Sequence, residues 1–136
     1  MSMLSDTDTA TDKAAIESVV LDYFEGWFEG DAARMEQALH PELAKRSLEQ
    51  DTSGVETLRT LTAQEMIDAT ARGLGKSRDP GDRRIEVEAE HVYGTIANVT
   101  VHSAVYEEYL QLVRTTDGWK IVNTLWDWAD NRKELR

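Results

Sequence analysis

Apolar residues recur at Ile16, Val19, Val20, Tyr23 and Trp27, the spacing of one helix face, and Phe24 and Phe28 widen the stripe. Lys13, Glu17, Asp22 and Glu25 fall on the opposite, wet side. This pattern predicts a helix over residues 12–29, capped by Thr11 or Asp12 and ended by Gly30. A second helix over 31–39 should follow at once, with Asp31 as its cap, Met35, Ala38 and Leu39 inward, and His40-Pro41 as its stop. Short extended pieces are expected at 44–49 and 55–60. Thr62-Ala63-Gln64-Glu65 has the capping-box pattern and opens a third helix to about residue 72. The glycines and proline of 73–82 mark a loop, read as a mobile lid.

From residue 84 onward the period changes to two. Runs at 84–93, 95–103, 105–115 and 118–128 alternate as strands of a meander, and Asp117-Gly118 is a strong hairpin signal between the last two. Three helices followed by a long antiparallel sheet is an α+β pattern in which helices cover one face of the sheet. Strict alternation through an even-length turn puts Tyr106, Glu108, Leu110, Leu112 and Arg114 on one face with Trp119, Ile121, Asn123, Leu125 and Asp127. That set is assigned to the helix side. The other face holds Tyr109, Val113, Val122, Trp126 and Trp128, an apolar patch of the kind that marks an interface. A one-residue slip in register would exchange the two sets.

Composition narrows the classes. With 136 residues the chain is read as one domain over 12–128, between a disordered tail at 1–11 and a charged tail at 129–136. A net charge of −11 repels phosphate backbones, so no nucleic-acid partner is expected. The apolar runs are too short for a membrane span, and the amino-terminal residues lack the pattern of a secretory signal. With no cysteine, a cytoplasmic location fits. His91 and His102 are strand residues without His-x-His ligand spacing, so no metal is expected, and no cofactor motif is present.

Tyr23-Phe24-Glu25-Gly26, Glu29-Gly30-Asp31 and Leu39-His40-Pro41 resemble the opening of nuclear transport factor 2-like proteins. Glu108-Tyr109-Leu110-Gln111-Leu112 with Asp117-Gly118-Trp119-Lys120-Ile121-Val122-Asn123 resembles their closing hairpin. Among them the chain is most similar to the putative lumazine-binding and SnoaL-like branch. The resemblance implies a cone, in which a strongly curved, mainly antiparallel sheet holds three helices in its concave face with a pocket between. It also implies dimerisation through the outer face of the sheet. Two positions depart from the family pattern. Glu108 stands where an Asp is usual, and Thr124 where a Lys is frequent.

Three readings of function remain open, because one fold hosts many activities. In the first, the chain binds a small apolar molecule in a pocket lined by Tyr23, Trp27, Tyr106, Leu110, Leu112, Trp119 and Asn123. In the second it is a dehydratase, cyclase or isomerase in which Glu108, Asp127 or His40 moves a proton. Glu108 and Asp127, placed on one face, would perturb each other's pKa. In the third it is a homodimeric association module built on Tyr109, Val113, Val122, Trp126 and Trp128.

Overall fold

The computed structural model describes residues 6–130. The tails expected at 1–11 and 129–136 lie in part outside the described residues. Helix α1 spans Asp6–Glu29, starting six residues before the expected start at residue 12. Asp12 therefore lies inside the helix. It is buried, and its Oδ1 accepts from Trp119 Nε1 and Arg114 Nη1, each at 3.4 Å. Ile16, Val20, Tyr23, Phe24 and Phe28 form the buried stripe. Gly30, at φ 71°, ends α1 in the left-handed conformation that glycine adopts without a Cβ clash.

Helix α2, Ala32–Ala38, is capped by the Asp31 carboxylate, as expected. Arg34 on α2 pairs with Asp22 at 3.0 Å and Glu25 at 2.8 Å, using the acidic side of α1. His40-Pro41 do not simply stop a helix. The chain passes at Leu39 directly into strand β1, Leu39–Gln50, which is longer than expected. Strand β2, Glu56–Thr62, leads into α3, Ala63–Ala71, through a complete Thr62/Glu65 capping box.

Strands β3 (Glu86–Tyr93), β4 (Ile96–His102), β5 (Tyr106–Thr115) and β6 (Gly118–Trp128) complete one six-stranded sheet. Its order is β2-β1-β6-β5-β4-β3, and every neighbouring pair is antiparallel except β1 with β6. The core between helices and sheet is filled by Phe24, Phe28, Met35, Met66, Leu110 and Ile121, among others. Among the described residues no helix is long and apolar enough to cross a membrane.

One irregularity decides which side chains face that core. Near the turn, β5 and β6 pair in the expected register, with Thr115 opposite Gly118 and Leu112 opposite Ile121. The next pair is Gln111 with Asn123, so Val122 is an extra residue on β6, a β-bulge. Beyond it every residue of β6 changes face. Thr124, Trp126 and Trp128 now share the helix side with Leu110, Glu108 and Tyr106. Asn123, Leu125 and Asp127 join Gln111, Tyr109 and Glu107 on the outer side.

The segment read as a lid contains a 3-10 turn at Lys76–Arg78 and lies against α1. A Cβ on Gly75 would come within 2.2 Å of the Trp27 carbonyl oxygen and 2.4 Å of its ring, so only glycine allows this close approach. Arg83 ties the segment down through Asp79 at 2.8 Å and Glu29 at 3.1 Å. These contacts hold the segment against α1, and its Leu74 and Arg78 line a cavity.

Candidate functional site

Between α1, α3 and the sheet lies a cavity of about 260 Å³. Its polar end is built by three elements. Helix α1 supplies Tyr23 from its buried stripe. Strand β1 supplies Lys45, which alternation places inward between Leu43 and Ser47, both buried. Strand β5 supplies Glu108, which is only 1 % exposed.

Tyr23 Oη donates to Glu108 Oε2 at 2.6 Å. Lys45 Nζ donates to the same carboxylate oxygen at 3.3 Å and also to the Tyr23 hydroxyl. The ammonium lies over the Tyr23 ring, 4.9 Å from its centroid, and 5.4 Å from that of Trp126. Burial pushes the Tyr23 phenol well above its ordinary value, and the Glu108 charge adds to this. Tyr23 is therefore held as a proton donor. Burial lowers the Lys45 pKa, against the opposing pull of Glu108, and the Arg78 charge lowers it further. A buried ion pair of this kind contributes little net stability. What it provides is a carboxylate, an amine and a phenol fixed together where water is scarce.

The walls are aromatic. Trp27 Nε1 donates to Tyr106 Oη at 2.9 Å. Tyr106 stacks on Trp128, with centroids 5.5 Å apart, and meets Trp126 edge-on at 5.3 Å. Burial raises the Tyr106 pKa, while its bond from Trp27 and the nearby Arg78 charge pull the other way. Phe24, Leu61, Met66, Ala69 and Leu74 add apolar lining, and Arg59, Arg72 and Arg78 stand at the more exposed margin.

The structure brings Glu108, Tyr23, Trp27 and Tyr106 together, as the alternation suggests. It separates the others. Asp127 is carried to the outer face opposite Glu107 by the bulge, so it forms no carboxylate pair with Glu108. Asn123 also points outward, where its Nδ2 donates to Gln111 Oε1 at 3.1 Å. His40 lies at the start of β1 outside the cavity lining, and its Nδ1 accepts from the Glu42 backbone N–H at 3.0 Å. Leu110 and Leu112 are sealed in the core. Trp119 is buried at the turn end of the hairpin, bound to Asp12 and 5.8 Å from the Arg114 guanidinium. Trp126 and Trp128, assigned to an outer interface, instead lie on the helix side, where Trp126 lines the cavity and Trp128 backs Tyr106.

Lys45 is not among the site residues expected from the sequence. The alternation of Leu43, Lys45 and Ser47 was the available signal. Lys45 is the direct register partner of Thr124 across β1 and β6. Among the described residues, no group of three or more His, Asp or Glu is placed to hold a metal ion.

Comparison with solved structures shows the same architecture. A nuclear transport factor 2-like protein of unknown function from Silicibacter pomeroyi superposes with a TM-score of 0.67 at 16% identity, covering 89% of this chain and 98% of that one. A nuclear transport factor 2-like protein of unknown function from Methylobacillus flagellatus gives 0.62 at 16%, covering 93% and 95%. A protein with a cystatin-like fold from Caulobacter vibrioides gives 0.59 at 13%, covering 92% and 94%. At these identities the likeness concerns the fold. No curated protein matches the sequence. Residues 11–127 match the family described as putative lumazine-binding, and with the cone and its cavity in place, the chain belongs to that family within the nuclear transport factor 2-like fold.

Proposed function

We propose that the protein binds a small molecule with a flat, apolar body in the cavity, anchored by Lys45, Tyr23 and Glu108. The observation that carries this reading is the combination of aromatic walls with one buried cluster of donors and an acceptor, the usual make-up of a ligand site. At about 260 Å³ the cavity falls just below the common range of roughly 300–1,000 Å³, so the ligand is one or two rings in size. The buried Trp126 indole N–H has no protein acceptor among the described residues and supplies a further donor in the wall. Thermal unfolding with a panel of one- and two-ring compounds, lumazine included, tests the reading. A ligand at a hundred times its Kd should add about 2.7 kcal/mol of stability. Substituting Trp126→Ala should remove the shift. A panel that leaves the midpoint unchanged would count against a binding role.

A second reading, proton-transfer catalysis, draws on the short bond between Tyr23 and Glu108 in a site shielded from water. With Asp127 and His40 elsewhere, Glu108 is its remaining base and Tyr23 its acid. Its signature would be turnover abolished by Glu108→Gln with ligand binding retained.

Homodimerisation is a separate proposal. The outer face lacks Trp126 and Trp128, but Tyr109 and Leu125 are register partners there, 58% and 52% exposed. A second copy over this pair would cover both. Leu125→Glu should then lower the sedimentation coefficient, whereas a wild-type monomer would end the idea.

A further inference from the structure

The chain carries a net charge of −11, yet the cavity has the opposite balance. Its lining holds four cations, Lys45, Arg59, Arg72 and Arg78, against three carboxylates, Glu65, Asp68 and Glu108. The carboxylates are already engaged. Glu65 accepts from the Thr62 backbone N–H at 3.0 Å, Asp68 accepts from Gln64 at 2.9 Å, and Glu108 holds Tyr23 and Lys45. Arg59 is paired with Glu49 at 3.3 Å.

Arg72 and Arg78 have no carboxylate partner within ion-pair distance among the described residues. Arg78 is held in another way. Its guanidinium carbon lies 5.5 Å from the centre of the Trp128 ring, which itself stacks on Tyr106. A guanidinium placed on an aromatic face keeps its in-plane N–H donors, and their fork matches a carboxylate in two parallel bonds. The backbone also fixes it, because the 3-10 turn Lys76–Arg78 begins directly after Gly75, the residue packed flush on Trp27. A preorganised, half-buried arginine without an anion, at the open margin of an aromatic cavity in an acidic protein, is a local focus of positive potential.

Resting on the ligand-binding reading above, we infer that the ligand is a planar one- or two-ring carboxylic acid. Its carboxylate is taken by Arg78, with Arg72 adding charge at the same margin. Its ring lies between Trp27, Met66 and Trp126, and its far edge meets Lys45, Tyr23 and Glu108. That end presents both donors and an acceptor, so a ring hydroxyl or carbonyl is accommodated there without an orphaned partner. The neutral counterpart of such an acid keeps the ring contacts and loses the two charge-assisted bonds.

Calorimetric titration of the full chain with matched acids and amides (benzoate with benzamide, naphthoate with naphthamide, indole carboxylate with its amide) tests this. At least one acid should bind the wild type about tenfold or more tighter than its amide, a gap that narrows as salt is raised. Arg78→Met keeps an apolar stem over Trp128 and should erase the gap by weakening the acid alone. An amide that binds the wild type as tightly as its acid overturns the inference while leaving the cavity as a ligand site. An Arg78→Met variant that weakens acid and amide equally overturns it too. If no acid and no amide binds the wild type, the ligand-binding reading fails, and this inference with it.

Discussion

The two halves of strand β6 obey the same rule and reach opposite results. From Gly118 to Ile121, alternation counted from the turn puts Trp119 and Ile121 inward, and both are buried. From Asn123 to Trp128 the same count gives the wrong side for every residue, because Val122 is not paired. The first half closes the core over Asp12. The second half turns Thr124, Trp126 and Trp128 to the helix side, where Trp126 lines the cavity, and sends Asp127 away from Glu108. One extra residue thus converts an expected carboxylate pair with an outer tryptophan patch into an aromatic-walled cavity with a lysine–glutamate pair. Bulges are built features that re-aim side chains, and this one builds the site.

The sharpest way to break the contrast is to remove Val122. Its deletion forces the base of β6 back into simple register, exposing Trp126 and Trp128 and turning Asp127 inward. Two large side chains losing roughly 2 kcal/mol of burial each predict a loss of at least about 4 kcal/mol. Urea unfolding followed by tryptophan fluorescence measures it. A variant as stable as the wild type would show that the bulge is dispensable.

Next in size is the charge pair that the bulge leaves beside Trp126. Lys45→Met strands the Glu108 carboxylate with Tyr23 as its one side-chain donor, and the expected cost is roughly 3–5 kcal/mol. Lys45→Met with Glu108→Leu should cost clearly less than the sum of the single changes in a double-mutant cycle. The pH dependence has a definite sign. Burial holds Lys45 below its ordinary 10.5, so between its folded value and 10.5 the unfolded chain binds more protons, and this group makes stability rise with pH. Tyr23 is held above 10.0 and acts in the other direction. Above pH 10 the folded state keeps a proton that the unfolded state loses, so its contribution falls as pH climbs. Unfolding free energies across the alkaline range, compared with Lys45→Met and Tyr23→Phe, separate the two.

Neighbouring residues on opposite faces offer a finer comparison. Trp126→Ala should destabilise by about 2–3 kcal/mol, somewhat under the usual range for a large aromatic because Trp126 is only half-buried. Leu125→Ala, with its side chain outward, should stay within about 0.5 kcal/mol for an isolated chain. Equal effects would contradict the face assignment.

The smallest effect concerns the outer face at the base of the hairpin. His102 Nδ1 meets Glu107 at 2.7 Å, and Nε2 meets Glu88 at 3.4 Å. The Glu107 bond raises the histidine pKa above 6.5. This contribution is present below 6.5 and is lost as pH rises through the folded pKa. NMR titration should place His102 above 6.5, and Glu107→Gln should bring it back toward that value.

Much of the fold was legible because several local signals agreed. The stripe from Ile16 to Phe28, the Thr62/Glu65 box, the Asp31 cap and the Asp117-Gly118 turn each correspond to an observed element. Four site residues, Tyr23, Trp27, Tyr106 and Glu108, lie on stretches whose period is unbroken. Asp127, Asn123, Trp126 and Trp128 were misplaced for one reason. A bulge leaves no mark in the hydrophobic pattern when the residues on both sides of it mix polar and apolar, and β6 past Val122 does. Lys45 is a different case, since a lysine at an inward position reads as an error until its partner on another strand is known. The α1 start at Asp6 was also missed, because the polar residues before Asp12 carry no apolar stripe to extend.

The central claim is that the base of β6 faces a ligand cavity while its turn half does not. The four indole N–H resonances, assigned by substituting each tryptophan in turn, report on both halves in one spectrum. On titration with naphthoate, the account predicts that Trp27 and Trp126 shift in a saturable way while Trp119, bonded to Asp12 near the turn, stays in place. Shifts at Trp119 with Trp27 and Trp126 unmoved would contradict it.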